Sequence, residues 1–220
     1  MLTLTLDALK LEAKNFAILE SQHSDQNLYG VDNGKSVGTY IEHKFQDYLK
    51  NKSYKFNTGN SALGIDLPEL EVDIKVTSIR QPQSSCPFRS ARQKVYGLGY
   101  SILLFVYQKY DDHQLQSSTL KIHRSIFINS EYTADYQLTR SLRSILDNDG
   151  NVDDIMAHLM DRHLPVDEIG ALSLAEEIYR NPPKQGFLTI SNALQWRLQY
   201  ARAIQIAEEK IGLECLYKND

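Results

Sequence analysis

Residues 72–77 read Val-Asp-Ile-Lys-Val-Thr, and this alternation constrains the chain more than any other stretch. Val72, Ile74 and Val76 hold the even positions, while Asp73, Lys75 and Thr77 hold the odd ones. A strand turns its side chains to opposite faces with a period of two, so Asp73 and Lys75 share a face. A carboxylate and an ammonium then stand on a strand whose other side is apolar, with Asp66 seven residues upstream of Asp73. Buried charge is costly unless it is paired or binds metal. A strand with one solvated face gives the same alternation, and Asp-x-Lys by itself is a common triplet. A divalent-metal site is the sharper explanation of the full set. The turn residue Pro68 lies between the two acids.

The chain beyond this strand is locally biased in charge. Residues 74–110 contain Lys75, Arg80, Arg89, Arg92, Lys94 and Lys109 and no Asp or Glu, although the whole chain carries a formal charge of −4. A basic stretch beside an acidic metal site suits a polyanionic substrate.

With Gly64-Ile65-Asp66 and Asp73-Ile74-Lys75 in place, the chain resembles the PD-(D/E)xK nuclease superfamily, and within it a small type II restriction endonuclease. The resemblance is specific over residues 35 to 108 and vague elsewhere. It implies an α/β fold: a restriction-endonuclease-like mixed β-sheet core flanked by helices. Asp66 matches the family's first acid, Asp73 the second and Lys75 the lysine; Ile65 stands where the family often has Pro. Glu42 sits on the preceding helix, where members often add an acid. The implied catalytic set is Asp66, Asp73, Lys75 and Glu42, with Asp66, Asp73 and Glu42 as metal ligands for Mg²⁺, for which Mn²⁺ can substitute. The implied partners are double-stranded DNA, a second copy of the chain and a separately encoded DNA methyltransferase. On the residues alone, Glu42 is either a flank charge or an inward ligand, and Glu69 and Glu71 are alternative ligands.

Arg and Gln read guanine and adenine in the major groove. Arg80, Gln81, Gln83, Arg89, Arg92, Gln93 and Lys94 are therefore candidate DNA contacts, either to bases or to phosphates.

Around this centre the pattern predicts helices over 6–21 and 36–51, and a strand over 55–67 ending near Asp66. A strand over 71–78, a loop over 79–90 and a short helix over 91–99 come next. The apolar run 100–108 reads as a central strand, and 120–129 as another. From 132 onward the pattern becomes helical: 139–146, 152–162, 173–180 and a long helix 191–211 capped by Ser191. The expected organisation is a nuclease core over 1–130 and a helical portion over 131–220 serving recognition or dimerisation.

Several classes are disfavoured. Cys86 and Cys215 are the only cysteines and form no zinc-type pattern. The histidines lack metal spacing, and no GxxxxGK phosphate loop exists. No apolar run is long enough for a bilayer and the start lacks a signal-peptide pattern, so a cytoplasmic protein is expected. Two competing readings remain: a less specific nuclease, and a catalytically silent nucleic-acid-binding module.

Overall fold

The computed structural model describes residues 2–59, 64–86, 89–191 and 196–219. Its frame is a mixed sheet whose central strand is β6 (Ser101–Asp112). β6 pairs parallel with β4 (Val72–Ser78) and antiparallel with β7 (Ser117–Ile128), and β10 (Leu213–Lys218) continues the sheet beyond β7. A short β2 (Ser24–Asp25) also joins β7. Among the described residues β4 thus ends the sheet, its outer edge met only by the bridges Leu67–Val72 and Ser78–Gln81. Apart from the sheet, β1 (Leu2–Thr3) pairs with β3 (Tyr54–Lys55).

β6 is apolar on both sides because both sides are covered. Leu103, Phe105 and Tyr107 face the helices α1 (Leu6–Glu20) and α2 (Gly34–Asn51), packing against Phe16, Ile41 and Phe45. Ile102, Leu104 and Val106 face the opposite layer. In β7 the apolar phase flips between Ile122 and Ile126. A bulge causes it: Val106 pairs with Arg124 and Tyr107 with Ile122, leaving His123 as the extra residue.

The opposite layer is a small sheet of β5 (Gln83–Cys86), β9 (Trp196–Gln199) and β8 (Thr189–Ile190). The helix α7 (Ala201–Ile206) packs beside it through Ala203. A satellite cluster gathers α3 (Arg92–Tyr96), α4 (Tyr136–Asp147), α5 (Val152–Asp161) and α6 (Glu168–Arg180) around Val95, Leu142, Leu159 and Ile178. Asn151 caps α5 in a capping box with Asp154.

Several expectations are corrected. The span 191–211, expected as one helix, is helical only at Ala201–Ile206 among the described residues, and its residues 192–195 lie outside them. Trp196, Leu198 and Tyr200 are buried while Arg197 and Gln199 are exposed, a period of two that places 196–199 in a strand. The Ser191 hydroxyl accepts from the Arg197 N–H at 3.0 Å, closing a hairpin rather than capping a helix. Leu194, within that span, lies outside the described residues. The region beyond 130 is accordingly not wholly helical, since β8, β9 and β10 belong to it. The loop over 79–90 contains β5, and its Pro87 and Phe88 lie outside the described residues. The strand expected over 55–67 is regular only at Tyr54–Lys55, and its residues 60–63 lie outside the described residues. α6 starts at Glu168, earlier than the expected 173, and is capped by Asp167.

Candidate active site

Asp66 and Asp73 meet because the chain doubles back between them. Leu67 and Val72 exchange both backbone hydrogen bonds, at 2.9 and 3.2 Å. Between them run a 3₁₀ turn over Pro68–Leu70 and Glu71 in the left-handed region at φ 53°. The next rung beyond this closed pair is Asp66 opposite Asp73. The outer edge of β4 then supplies a backbone donor: the Ile74 N–H donates to the Asp66 carboxylate at 2.7 Å.

Asp73 and Lys75 lie on the face of β4 covered by the small sheet, not on a solvated one. Asp73 is 2% exposed, and the Lys75 ammonium stands 2.5 Å from its Oδ2. That oxygen receives no well-aligned hydrogen bond among the described residues. The contact is an ion pair by distance alone, which leaves lone pairs of a buried carboxylate unsatisfied.

Glu42 arrives from α2, which crosses β4 closely. Gly38, one turn before Glu42, lies at this crossing: a Cβ there would sit 3.9 Å from the Val76 Cβ. That distance is ordinary contact, so Gly38→Ala is expected to stabilise the helix by about 0.5–1 kcal/mol. Gly38→Leu should push α2 outward and lower activity. Thermal melts and cleavage rates of the pair check this.

The electrostatics arise from crowding. Burial, then the charge of Asp66 and a hydrogen bond to it, push Glu42 up to about 7. Burial also pushes Asp73 up to about 7; Lys75 works against this and Asp66 adds to it. Burial pulls Lys75 down, but the charge of the adjacent Asp73, with that of Asp66 behind it, leaves it raised. The carboxylates therefore win the contest over Lys75, which stays an ammonium. Three acids against one ammonium make a site with surplus negative charge once ionised.

Such a site fits a hard divalent cation. Among the described residues, no three His, Cys, Asp or Glu side chains form a ready-made cage. Mg²⁺ does not need one: it is bound by one or two carboxylates and keeps waters and substrate phosphates for the rest. The unsatisfied Asp73 oxygen and its neighbour Asp66 supply such a pair. Glu69 and Glu71 are exposed, and Glu69 accepts from the Asn57 amide at 2.6 Å, so neither joins the cluster.

The cluster opens into a cleft of about 920 Å³ between α2, β4 and β5. Glu42 and Lys75 line it, with Lys35, Arg80, Gln81, Gln83, Lys109 and Arg197 around them. The candidate DNA contacts are thereby divided. Arg80, Gln81 and Gln83 are at the cleft, and Arg89 is exposed near it in sequence. Arg92, Gln93 and Lys94 are not brought there. The Arg92 guanidinium donates to both oxygens of Glu177 on α6, at 2.6–3.1 Å. The Gln93 amide donates to the Leu98 carbonyl at 2.9 Å. Lys94 is 4% exposed, with its ammonium over the Trp196 ring, and burial lowers its pKa. Lys35 is a cleft residue outside the sequence candidates, and Arg197, expected on the helix over 191–211 as a contact to DNA or a second subunit, reaches the cleft from β9 instead. The alternation of 196–200 was the signal for Arg197.

Among the described residues no helix is long and apolar enough to cross a membrane. No solved structure matches the chain. A family model described as type II restriction enzyme NspV matches residues 3–215. The type II restriction enzyme NspV of Nostoc sp. (strain ATCC 29411 / PCC 7524) is 59% identical over 220 residues, covering 100% of both chains. A site where two acids and a lysine meet on one sheet edge, over a basic cleft, agrees with that match over the full length. The chain belongs to the NspV family of type II restriction enzymes, which cut DNA at specific sequences.

Proposed function

We propose that this chain hydrolyses both strands of its DNA target at the cluster of Asp66, Asp73, Lys75 and Glu42, with Mg²⁺ as its working ion and Mn²⁺ as a substitute. The observation that carries this reading is the hairpin that sets Asp66 beside the buried Asp73–Lys75 pair, at the wall of a cleft lined by Lys35, Arg80 and Arg197. Type II restriction enzymes as a class use a divalent metal. When bound, that ion lowers the pKa of its water and offsets charge developing on the phosphate.

The chain's own side chains do the rest. Asp66 and Asp73 would hold the cation. Lys75, kept protonated by its carboxylates, donates hydrogen bonds to the attacking water or to the phosphate oxygen and fixes their line. Glu42, once ionised, would complete the oxygen donors for the cation or position a water beside it by accepting its hydrogen bond. Lys35 and Arg80 pair with flanking phosphates. Lys35→Ala and Arg80→Ala should weaken binding to all duplexes alike and reduce the salt dependence by about one unit each, read from affinities at several salt concentrations.

Cutting both strands of a palindrome favours a two-fold dimer, whose symmetry matches that of the site. A separately encoded methyltransferase would protect the host's own copies of that site. Plasmid incubated with the protein and Mg²⁺ should give discrete bands whose sequenced ends share one motif. A smear would make it a nonspecific nuclease, and intact plasmid a silent binding module.

The raised carboxyls give this proposal a pH signature. Glu42 and Asp73 hold protons more tightly folded than unfolded, so the metal-free chain loses stability as pH rises from about 4 through about 7. A cation needs the ionised forms. The gain in Tm on adding Mn²⁺ should therefore be larger at pH 8 than at pH 6. Equal gains at both would remove these acids from metal binding.

A further inference from the structure

The small sheet has a face that the cleavage chemistry does not use. In β5 and β9 the paired residues are Gln83 with Gln199, Ser84 with Leu198, Ser85 with Arg197 and Cys86 with Trp196. Directly opposed residues share a face. Leu198, Cys86 and Trp196 are buried in the core, and the Ser84 hydroxyl hydrogen-bonds the Tyr200 hydroxyl at 2.6 Å. The alternate rungs, Gln83–Gln199 and Ser85–Arg197, therefore point away from it. Arg197, Gln199 and Ser85 are exposed and Gln83 is half-buried. Among the described residues, none of these four side chains makes a hydrogen bond or ion pair. Gln83, Ser85 and Arg197 also line the cleft that holds Glu42 and Lys75.

We propose that this face of the β5–β9 ribbon is the base-reading surface, entering the major groove with Arg197 on guanine and Gln83 and Gln199 on adenine. The proposal rests on the endonuclease reading above. The major groove admits a two-stranded ribbon, and the third strand β8 adds only Thr189, beside Gln199, to this face; Arg and Gln are the side chains that pair bidentately with these bases. Neighbouring strands lie about 4.8 Å apart, within a groove about 12 Å wide. Successive rungs on one face are about 6.8 Å apart along the strand, so each can address a different base pair. The rigid apolar underside holds the donors in place, which an irregular loop would not do. Arg92, Gln93 and Lys94 are engaged in contacts within the protein, which leaves the ribbon as the better-placed set of readers.

The test uses the full-length chain and a panel of duplexes. The panel carries the target read from sequenced plasmid ends, every single base-pair change of it, and an unrelated duplex. Arg197→Lys keeps the charge and removes the planar fork; Gln83→Ala and Gln199→Ala remove one amide each. Each variant should lose roughly 5- to 150-fold of discrimination at one base pair, with affinity for the unrelated duplex and the salt slope held. Melting temperatures near wild type confirm folding, which the exposure of the side chains favours. If Arg197→Lys retains full discrimination, or if the variants weaken all duplexes equally, the ribbon does not read bases. If the wild type itself gives no discrete ends, it is the endonuclease reading that fails.

Discussion

Asp73→Asn should abolish cleavage and, at the same time, raise the melting temperature of the metal-free chain at pH 8. The two effects have one cause. Asp73 is buried beside Asp66, and its carboxyl is pushed up to about 7, so the ionised form is held against its own preference. An amide removes that repulsion while keeping the shape. Each kcal/mol relieved is worth about 2–4 °C for a chain of this size. Losing a charged group that orients or binds at the reacting phosphate costs roughly 10²–10⁴-fold in rate. Melts without metal and single-turnover cleavage at saturating protein read the two effects separately. A variant that melts lower and still cuts would mean that Asp73 is a structural ion-pair partner of Lys75. Glu42→Gln should share the direction but with a smaller rate loss, partly recovered by raising Mg²⁺ or replacing it with Mn²⁺.

The largest stability effect is expected at Trp196, which is 1% exposed and sits opposite Cys86. It is the broadest side chain between the small sheet and the face of β6 formed by Ile102, Leu104 and Val106. Truncation to Ala should cost about 3–5 kcal/mol, because the surrounding layer relaxes only in part. That corresponds to a fall in Tm of roughly 10 °C. The same change should loosen the ribbon that carries Arg197 and Gln199, so site discrimination should fall along with stability. Denaturant midpoints and the duplex panel measure both. A variant as stable as wild type would show that the layer closes without its tryptophan.

The parts of the fold that are legible in the sequence are those where one period dominates. β4 and β6 announce themselves by alternation and by an unbroken apolar run, and α2 by its stripe of Val37, Ile41, Phe45 and Leu49. Residues 191–211 mislead because Leu198, Ala201, Ile204 and Ala207 also fall at helical spacing. The choice between the two periods is made by tertiary pairing with β5, which a local pattern does not contain. β5 itself is short and polar, and only its partner makes it a strand. At the site, Asp73 and Lys75 are legible from the strand period. The closeness of Asp66 depends on the Leu67–Val72 pair and the left-handed Glu71. The inward turn of Glu42 depends on how closely α2 crosses β4 at Gly38, and no spacing rule gives that. The candidate contacts Arg92, Gln93 and Lys94 look equivalent to Arg80 and Gln83 in sequence. Burial against α6 and Trp196 separates them.

The most direct test of the central claim is single-turnover cleavage of one target duplex by Asp66→Ala, Asp73→Ala and Lys75→Ala, each with protein in excess over its measured Kd for that duplex. The expected result is a rate loss of roughly 10²–10⁴-fold in all three, with DNA affinity close to wild type. Cleavage within a few-fold of wild type by any one of them would contradict the assignment of that residue to the cutting site.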